Sequence, residues 1–412
     1  MDVSLKKCLN IGVLGFLIFW PVIDTLNGYL YYNHAFLPSV SAPYKAVGFI
    51  VIATLLMIYD VVSFVKLFLF IVLSMLCFVY QYMVYGEVIE SITWAVRGLL
   101  TLALIFYLIS ESKRNCFWSK KRLANLMLFY FLMMAFNVSL GVVGVGESQY
   151  AGGIGGKGFI IAGNEMSYLM LVSASIVLVH LAGRFGFLGL SLVFMGLLVF
   201  FLMKATKVAI LGICLSYVFV LIHQGYFKVK YIPALYTLML VGGALAVLLG
   251  YQFAQATGLL DRMVYLYGLH GGFWGAVLSG RMTFLQDAFD VLLVNFNFLD
   301  TFFGVGVDHM SGVSDVLVEI DLIDVFIAFG IAGPIMFYFP WLLGITWSLA
   351  LLKTNPMSGL CFMLLIFMFL GVSVTSGHVV NSGIASSATA FFISYLYILK
   401  EEQKHVKGDQ AW

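Results

Sequence analysis

Apolar residues run in long blocks along this chain, and polar ones are largely confined to the gaps between them. Runs of spanning length fall at about 9–30, 46–60, 67–85, 92–110, 126–144, 164–182, 187–203, 208–222, 232–253, 322–350, 357–374 and 381–399. A helix needs about 20 apolar residues to cross the hydrocarbon core of a bilayer. The pattern therefore predicts an all-α, polytopic membrane helix bundle of about 12 transmembrane helices. The runs at 46–60 and 208–222 are short. The run at 322–350 is long and interrupted by Pro334 and Pro340. That predicts a tilt, a kink, or a start lying in the outer interface. The widest break, about 254–321, is expected to form one large loop. Within it, apolar stretches such as Leu259–Tyr267 and Phe284–Val294 are separated by Gly268, Gly271, Gly272 and Gly280. A loop of this length usually carries function. The chain reads as one integral-membrane domain, with no internal repeat or low-complexity tract.

Composition agrees with a lipid solvent. The chain is 62% hydrophobic and 10% charged, with a mean hydropathy of +1.03, where soluble domains carry about 25% charged residues. The short basic flank Met1–Asn10 has no cleavage site in the apolar run after it, so the first helix is expected to stay in the membrane. Of the five cysteines, Cys77, Cys214 and Cys361 fall inside apolar runs, and Cys8 and Cys116 beside basic segments. This distribution does not suggest a disulfide framework.

Lysine and arginine set the expected orientation. With the N-terminus inside, fifteen of the twenty-two basic residues collect on the inner connectors, five of them in Glu111–Asn125. Both termini are then cytoplasmic and the large loop is periplasmic. The other seven, Lys45, Arg97, Lys157, Lys204, Lys207, Arg262 and Arg281, fall at or just below the outer face.

Those seven draw attention because a charge at membrane depth costs about 2.5–3.5 kcal/mol on insertion scales. Arg97 either snorkels to the interface and pairs with Glu90, or faces the bundle and binds an anion; Asp24 is a possible partner for it, for Lys204 or for Lys207. Lys204 and Lys207 are either interface anchors or a pair of cations suited to a lipid-linked phosphate. The richest cluster runs from Ser279-Gly280-Arg281 through Gly304-Val305-Gly306-Val307-Asp308-His309 to Glu319, Asp321 and Asp324. Three acids at the head of a helix serve either as capping and dipole groups, or as a general base where a substrate meets Arg281. His309 and His378 lie beside this cluster, whereas His34, His223 and His405 read as loop residues and His180 as interfacial.

In their order and placement these elements resemble the bacterial O-antigen polymerase and O-antigen ligase group of integral-membrane glycosyltransferases. Gly158-Phe159 to Asn164 resembles the glycine-aromatic and asparagine start of a family helix. Thr206-Lys207-Val208-Ala209 sits where the family often has Ser-Arg and small residues. Gly280-Arg281, Gly304-Val305-Gly306, and Glu319 to Gly330 with Gly333 resemble the elements of its large external loop. The likeness covers about 155–335. Lys207 stands where an arginine is usual, which loses the bidentate fork. Glu319 stands where ligases have a His-Asn pair, so the chain looks more like a polymerase.

The resemblance implies a GT-C-like bundle that joins oligosaccharides carried on undecaprenyl pyrophosphate, in the inner membrane and on its periplasmic side. It implies no metal, cofactor, nucleotide sugar or nucleic-acid partner, and leaves room for a chain-length regulator. Catalytic groups would be Arg281, Glu319, Asp321 and His309. Arg97, Lys204, Lys207, Asn164, Arg262 and His378 would bind substrate, and Tyr265, Tyr267 or Trp274 would stack on sugars or anchor the interface. A ligase acting on lipid A core, a flippase or transporter, and a membrane scaffold are the alternatives. A flippase would be expected to show two related halves and polar groups reaching through the bilayer.

Overall fold

A computed structural model describes residues 3–33, 39–115, 117–150, 153–226, 255, 264, 265, 267–269, 281–291, 293–313 and 318–409. The first half is a run of up-and-down helices: α1 (Val3–Asn33), α2 (Ser41–Tyr59), α3 (Val61–Tyr85), α4 (Ile89–Asn115), α5 (Lys120–Val142), α6 (Gly163–Ala182), α7 (Phe187–Lys204) and α8 (Lys207–His223). A hairpin of β1 (Glu147–Tyr150) and β2 (Ile154–Gly158), paired antiparallel, interrupts them between α5 and α6. Among the described residues four short α-helices follow in the second half: α9 (Arg281–Val291), α10 (Phe298–Phe303), α11 (Val307–Val313) and α12 (Asp321–Phe329). Three long ones close the chain: α13 (Ala332–Thr354), α14 (Pro356–Ser376) and α15 (Ala385–Asp409). Among the described residues, α1 to α7, α13 and α14 are each long and apolar enough to cross a membrane, and α8 is a shorter apolar helix. The expected span at 232–253 and Arg262 lie outside the described residues.

The junctions between helices are short because polar residues cap them. Asp60 alone separates α2 from α3, and its carboxylate accepts the Ser63 amide and hydroxyl at 3.2 and 2.9 Å. Asn355 does the same between α13 and α14, taking the Ser358 amide at 3.2 Å ahead of Pro356. Each such bond satisfies an N–H that the first helical turn leaves without a partner.

Burial and apolarity run in opposite directions at the extremes here, the helices that face outward most being the most apolar. Every side chain of α6 from Met166 to Val179 is buried, Ser167, Ser173 and Ser175 included. By contrast, α3 and α7 turn most of their surface outward. α15 packs against α4, α5, α6 and α13 and buries Ser386, Ser387, Thr389 and Ser394. A helix enclosed by protein tolerates hydroxyls that lipid would not, and small residues let its neighbours approach closely.

Two expected boundaries move. The run at 322–350 breaks between α12 and α13, at Gly330, rather than at its prolines. Gly330 has φ +58°, and a Cβ there would lie 2.4 Å from the Phe302 carbonyl carbon, so the break is a close crossing with α10. Pro334 falls in the first turn of α13, where its missing N–H is not needed. The helix expected as a span at 381–399 begins at Ala385 instead, which leaves 377–384 as a connecting loop, and this helix, α15, is not among those apolar enough to cross a membrane.

Candidate functional site

At the end of the bundle where α14 meets α15, the loop 377–384 is held from several sides. Both oxygens of Asp321, the first residue of α12, accept the Val379 amide at 3.1 and 2.9 Å, and one also takes that of Val380 at 3.0 Å. Asp321 is fully buried. Burial pushes its carboxyl up to about 7, against the downward pull of the Val380 and Val379 amides. Asp324, one turn on, accepts the Val318 amide at 2.9 Å and is pushed up to about 7 in the same way, by burial first.

Arg281 and Glu319 pack against the start of this loop. The Arg281 guanidinium is buried and forked. It donates to the Glu319 carboxylate at 2.9 Å, to the Glu319 carbonyl at 2.9 Å and to the Ser376 carbonyl at 3.0 Å. Glu319 holds a left-handed backbone, φ +58°, and Gly377 beside it has φ +64°. A Cβ on Gly377 would lie 2.5 Å from the Glu319 carbonyl oxygen, so only glycine fits there. The Ser376 carbonyl also accepts from Asn164, at 2.6 Å, which joins the start of α6 to the same point. His378 carries a left-handed φ of +57°; burial holds its imidazole below the usual value, against the upward pull of Glu319.

The far side of the loop faces a cavity of about 550 Å³. Its polar lining comes from α1 (Asp24, Asn27), α2 (Ser41, Lys45), α4 (Arg97) and α6 (Glu165). Lys45 and Asp24 form a buried pair at 2.6 Å, and Ser41 donates to the same carboxylate. Arg97 reaches the Asn381 carbonyl at 3.5 Å. Glu165 accepts the Ser382 hydroxyl. The exposed Ala42, Pro43 and Ile92 form an apolar part of the rim.

Arg281, Glu319, Asp321, Asn164, Arg97 and His378 are thus brought together around one loop. Other expected members are placed elsewhere. His309 stacks on Tyr85, ring centroids 4.3 Å apart, while its neighbour Asp308 caps α4 by accepting the Glu90 and Ser91 amides at 3.0 and 3.2 Å. Lys204 is fully buried and donates to Gln149 of the hairpin, an anchor for β1 against α7. Lys207 opens α8, one residue after Thr206, whose hydroxyl meets that of Ser167 at 3.1 Å.

The glycine elements serve packing. Gly158 has φ +63°, and a Cβ there would sit 2.2 Å from the Asn137 carbonyl of α5. Val305 and Gly306 donate to the Ile327 and Ala328 carbonyls at 3.0 and 3.1 Å, which ties that segment to α12. Asp24 pairs with Lys45 rather than with Arg97, Lys204 or Lys207, and no ion pair joins Arg97 to Glu90 among the described residues. Tyr265 and Tyr267 are exposed; Trp274 lies outside the described residues.

Of this polar lining only Arg97 belongs to the site expected from sequence; Asp24, Asn27, Ser41, Lys45 and Glu165 do not. An acid in the first turn of an apolar run, directly after the chosen Asn164, is the feature that singles Glu165 out. Among the described residues, no three of His, Cys, Asp and Glu gather closely enough to hold a metal ion.

Fold and site together define a polytopic helical membrane protein with a charged, protein-lined cavity at one end of its bundle. No protein-family model matches the chain, and no curated protein does.

Proposed function

We propose that this chain is an inner-membrane glycosyltransferase that polymerises oligosaccharide repeat units carried on undecaprenyl pyrophosphate, at the bundle end facing the periplasm. The observation that carries the reading is the shared loop: the Arg281–Glu319 pair flanks one side of residues 377–384, and the Arg97–Glu165 cavity flanks the other. Departure of a polyprenyl pyrophosphate builds negative charge, which fixed cations stabilise most where water is scarce. Arg97 lines the cavity and supplies such a charge, while Arg281, paired with Glu319, holds the loop from its other side.

Sidedness adds support. The end that holds Lys6, Arg114, Lys120 and Lys353 is opposite to the end that holds this loop, and the basic end is the cytoplasmic one by the positive-inside rule. The apolar rim at Ala42, Pro43 and Ile92 lets a polyprenyl tail remain in lipid while its head group enters.

Arg281→Ala and Glu319→Gln test the reading in cells, with surface-glycan length as the measure. Long chains are expected to vanish while single repeat units are still displayed. Loss of the single units as well favours a flippase, and an unchanged length distribution in both variants rejects the site.

A further inference from the structure

We propose that Glu165 is the general base of the transfer, the group that takes the proton from the acceptor sugar's hydroxyl; this rests on the glycosyl-transfer reading above. The other acids packed at this end are occupied or shut away from the cavity. Asp324 takes the Val318 amide on one oxygen, and its other oxygen, though without a hydrogen bond among the described residues, is fully buried and outside the cavity lining. Asp24 is neutralised by Lys45. Asp300 caps α10 and accepts Tyr80 and Tyr85 at 2.7 and 2.6 Å. Asp308 caps α4. Asp321 has both oxygens on backbone amides, and Glu319 is paired with Arg281.

Glu165 differs from all of them. Its carboxylate lines the cavity, and one oxygen accepts the Ser382 hydroxyl. The described residues give its other oxygen no hydrogen bond. The Ser382 hydroxyl oxygen itself accepts the Ile384 and Ala385 amides, each at 3.0 Å, so its proton is directed at Glu165. This fixes the carboxylate as an acceptor. Arg97 and Lys45 both act on Glu165 electrostatically, yet no ion pair within 4.0 Å joins either of them to it among the described residues. A cation and an acid held apart across a cavity suit a ligand that is anionic at one end and carries hydroxyls at the other.

In the step itself, the acceptor oxygen forms a new bond to the anomeric carbon of the donor. The bond from that carbon to the pyrophosphate oxygen breaks, and its electron pair leaves on undecaprenyl pyrophosphate. The hydroxyl proton passes to Glu165 and from there to water at the open cavity. Arg97 faces the charge on the leaving group.

The test uses the full chain, purified as wild type, Glu165→Gln and Glu165→Asp. Binding is read as the thermal shift given by undecaprenyl pyrophosphate. Turnover is read on lipid-linked glycan extracted from cells that lack the chain. Glu165→Gln is expected to lose about 100-fold or more in turnover, the range for a general base, while keeping the wild-type thermal shift. Glu165→Asp is expected to recover part of the loss. Wild-type turnover in Glu165→Gln overturns the assignment. So does loss of the thermal shift in both variants, which makes Glu165 a binding or folding residue. If the amide variant does not fold, Ser382→Ala stands in: a fall in turnover with binding intact is expected, and unchanged turnover overturns the proposal. A wild-type protein that shows the shift but joins no glycan rejects the polymerase reading itself, a separate outcome.

Discussion

At the scale of single residues, the value of Arg281 lies in its fork. Lysine offers a compact charge without planar donors, so it cannot serve the Glu319 carboxylate and two backbone carbonyls together. Arg281→Lys is expected to destabilise the chain by about 2–3 kcal/mol, the worth of hydrogen bonds to a charged group, and to shorten surface glycan nearly as much as alanine does. Melting in detergent and glycan length check the two halves of that statement. Asp321 gives a prediction in pH. Its folded-state value is raised to about 7 by burial, so the folded chain keeps this proton where the unfolded chain has released it. Stability is therefore lost as pH rises from the ordinary carboxylate range toward 7, and levels off above it. Asp321→Asn has no such group, so its melting temperature should gain on wild type between pH 5 and pH 8; a constant gap rejects the shift.

Arg97, Arg281, Glu319 and Asp321 were legible in the sequence because charge next to a long apolar run demands an explanation, whereas Glu165 passed as the first turn of such a run. The partners were not. Lys45 and Asp24 lie on different helices, and nothing in their spacing shows that they meet.

At the scale of elements, the loop 377–384 is the piece that sequence pattern hides. Residues 381–384 read as the first turn of the span expected at 381–399, whereas here Asn381 meets Arg97, Ser382 meets Glu165, and Val379 and Val380 before them meet Asp321. Hydrophobic periodicity reports burial, and this loop is buried too. The same blindness applies at Gly330, where the break is forced by the crossing of α10, far away in sequence. Gly377→Ala tests how tightly the loop is built. A left-handed backbone with a Cβ costs roughly 1–2 kcal/mol, and here the added atom also strikes the Glu319 carbonyl. A melting temperature lowered by several degrees, together with loss of long glycan, is expected. A variant with wild-type stability and glycan length shows that the loop yields.

At the scale of the whole molecule, the helical bundle was evident from hydropathy, whereas the least lipid-like of its long helices needed the three-dimensional arrangement to explain it. α15 is rich in serine because its neighbours enclose it. Orientation can be measured directly. Cysteines placed at Glu319 and at Lys120 are expected to react with an impermeant maleimide from opposite faces of the membrane; reaction of both from one face rejects the bundle's polarity.

The cavity also has a history within each molecule's synthesis. Arg97 enters the membrane with α4, yet the carbonyl it contacts belongs to a residue 284 positions later. Until that residue is made the charge lacks its only described hydrogen bond, and a charge at membrane depth costs about 2.5–3.5 kcal/mol on insertion scales. A chain stopped at Thr354 should be cleared quickly by membrane proteases in pulse–chase, and Arg97→Leu should lengthen the life of that fragment. The expected outcome is that the same charge which serves the finished protein shortens the life of an unfinished one.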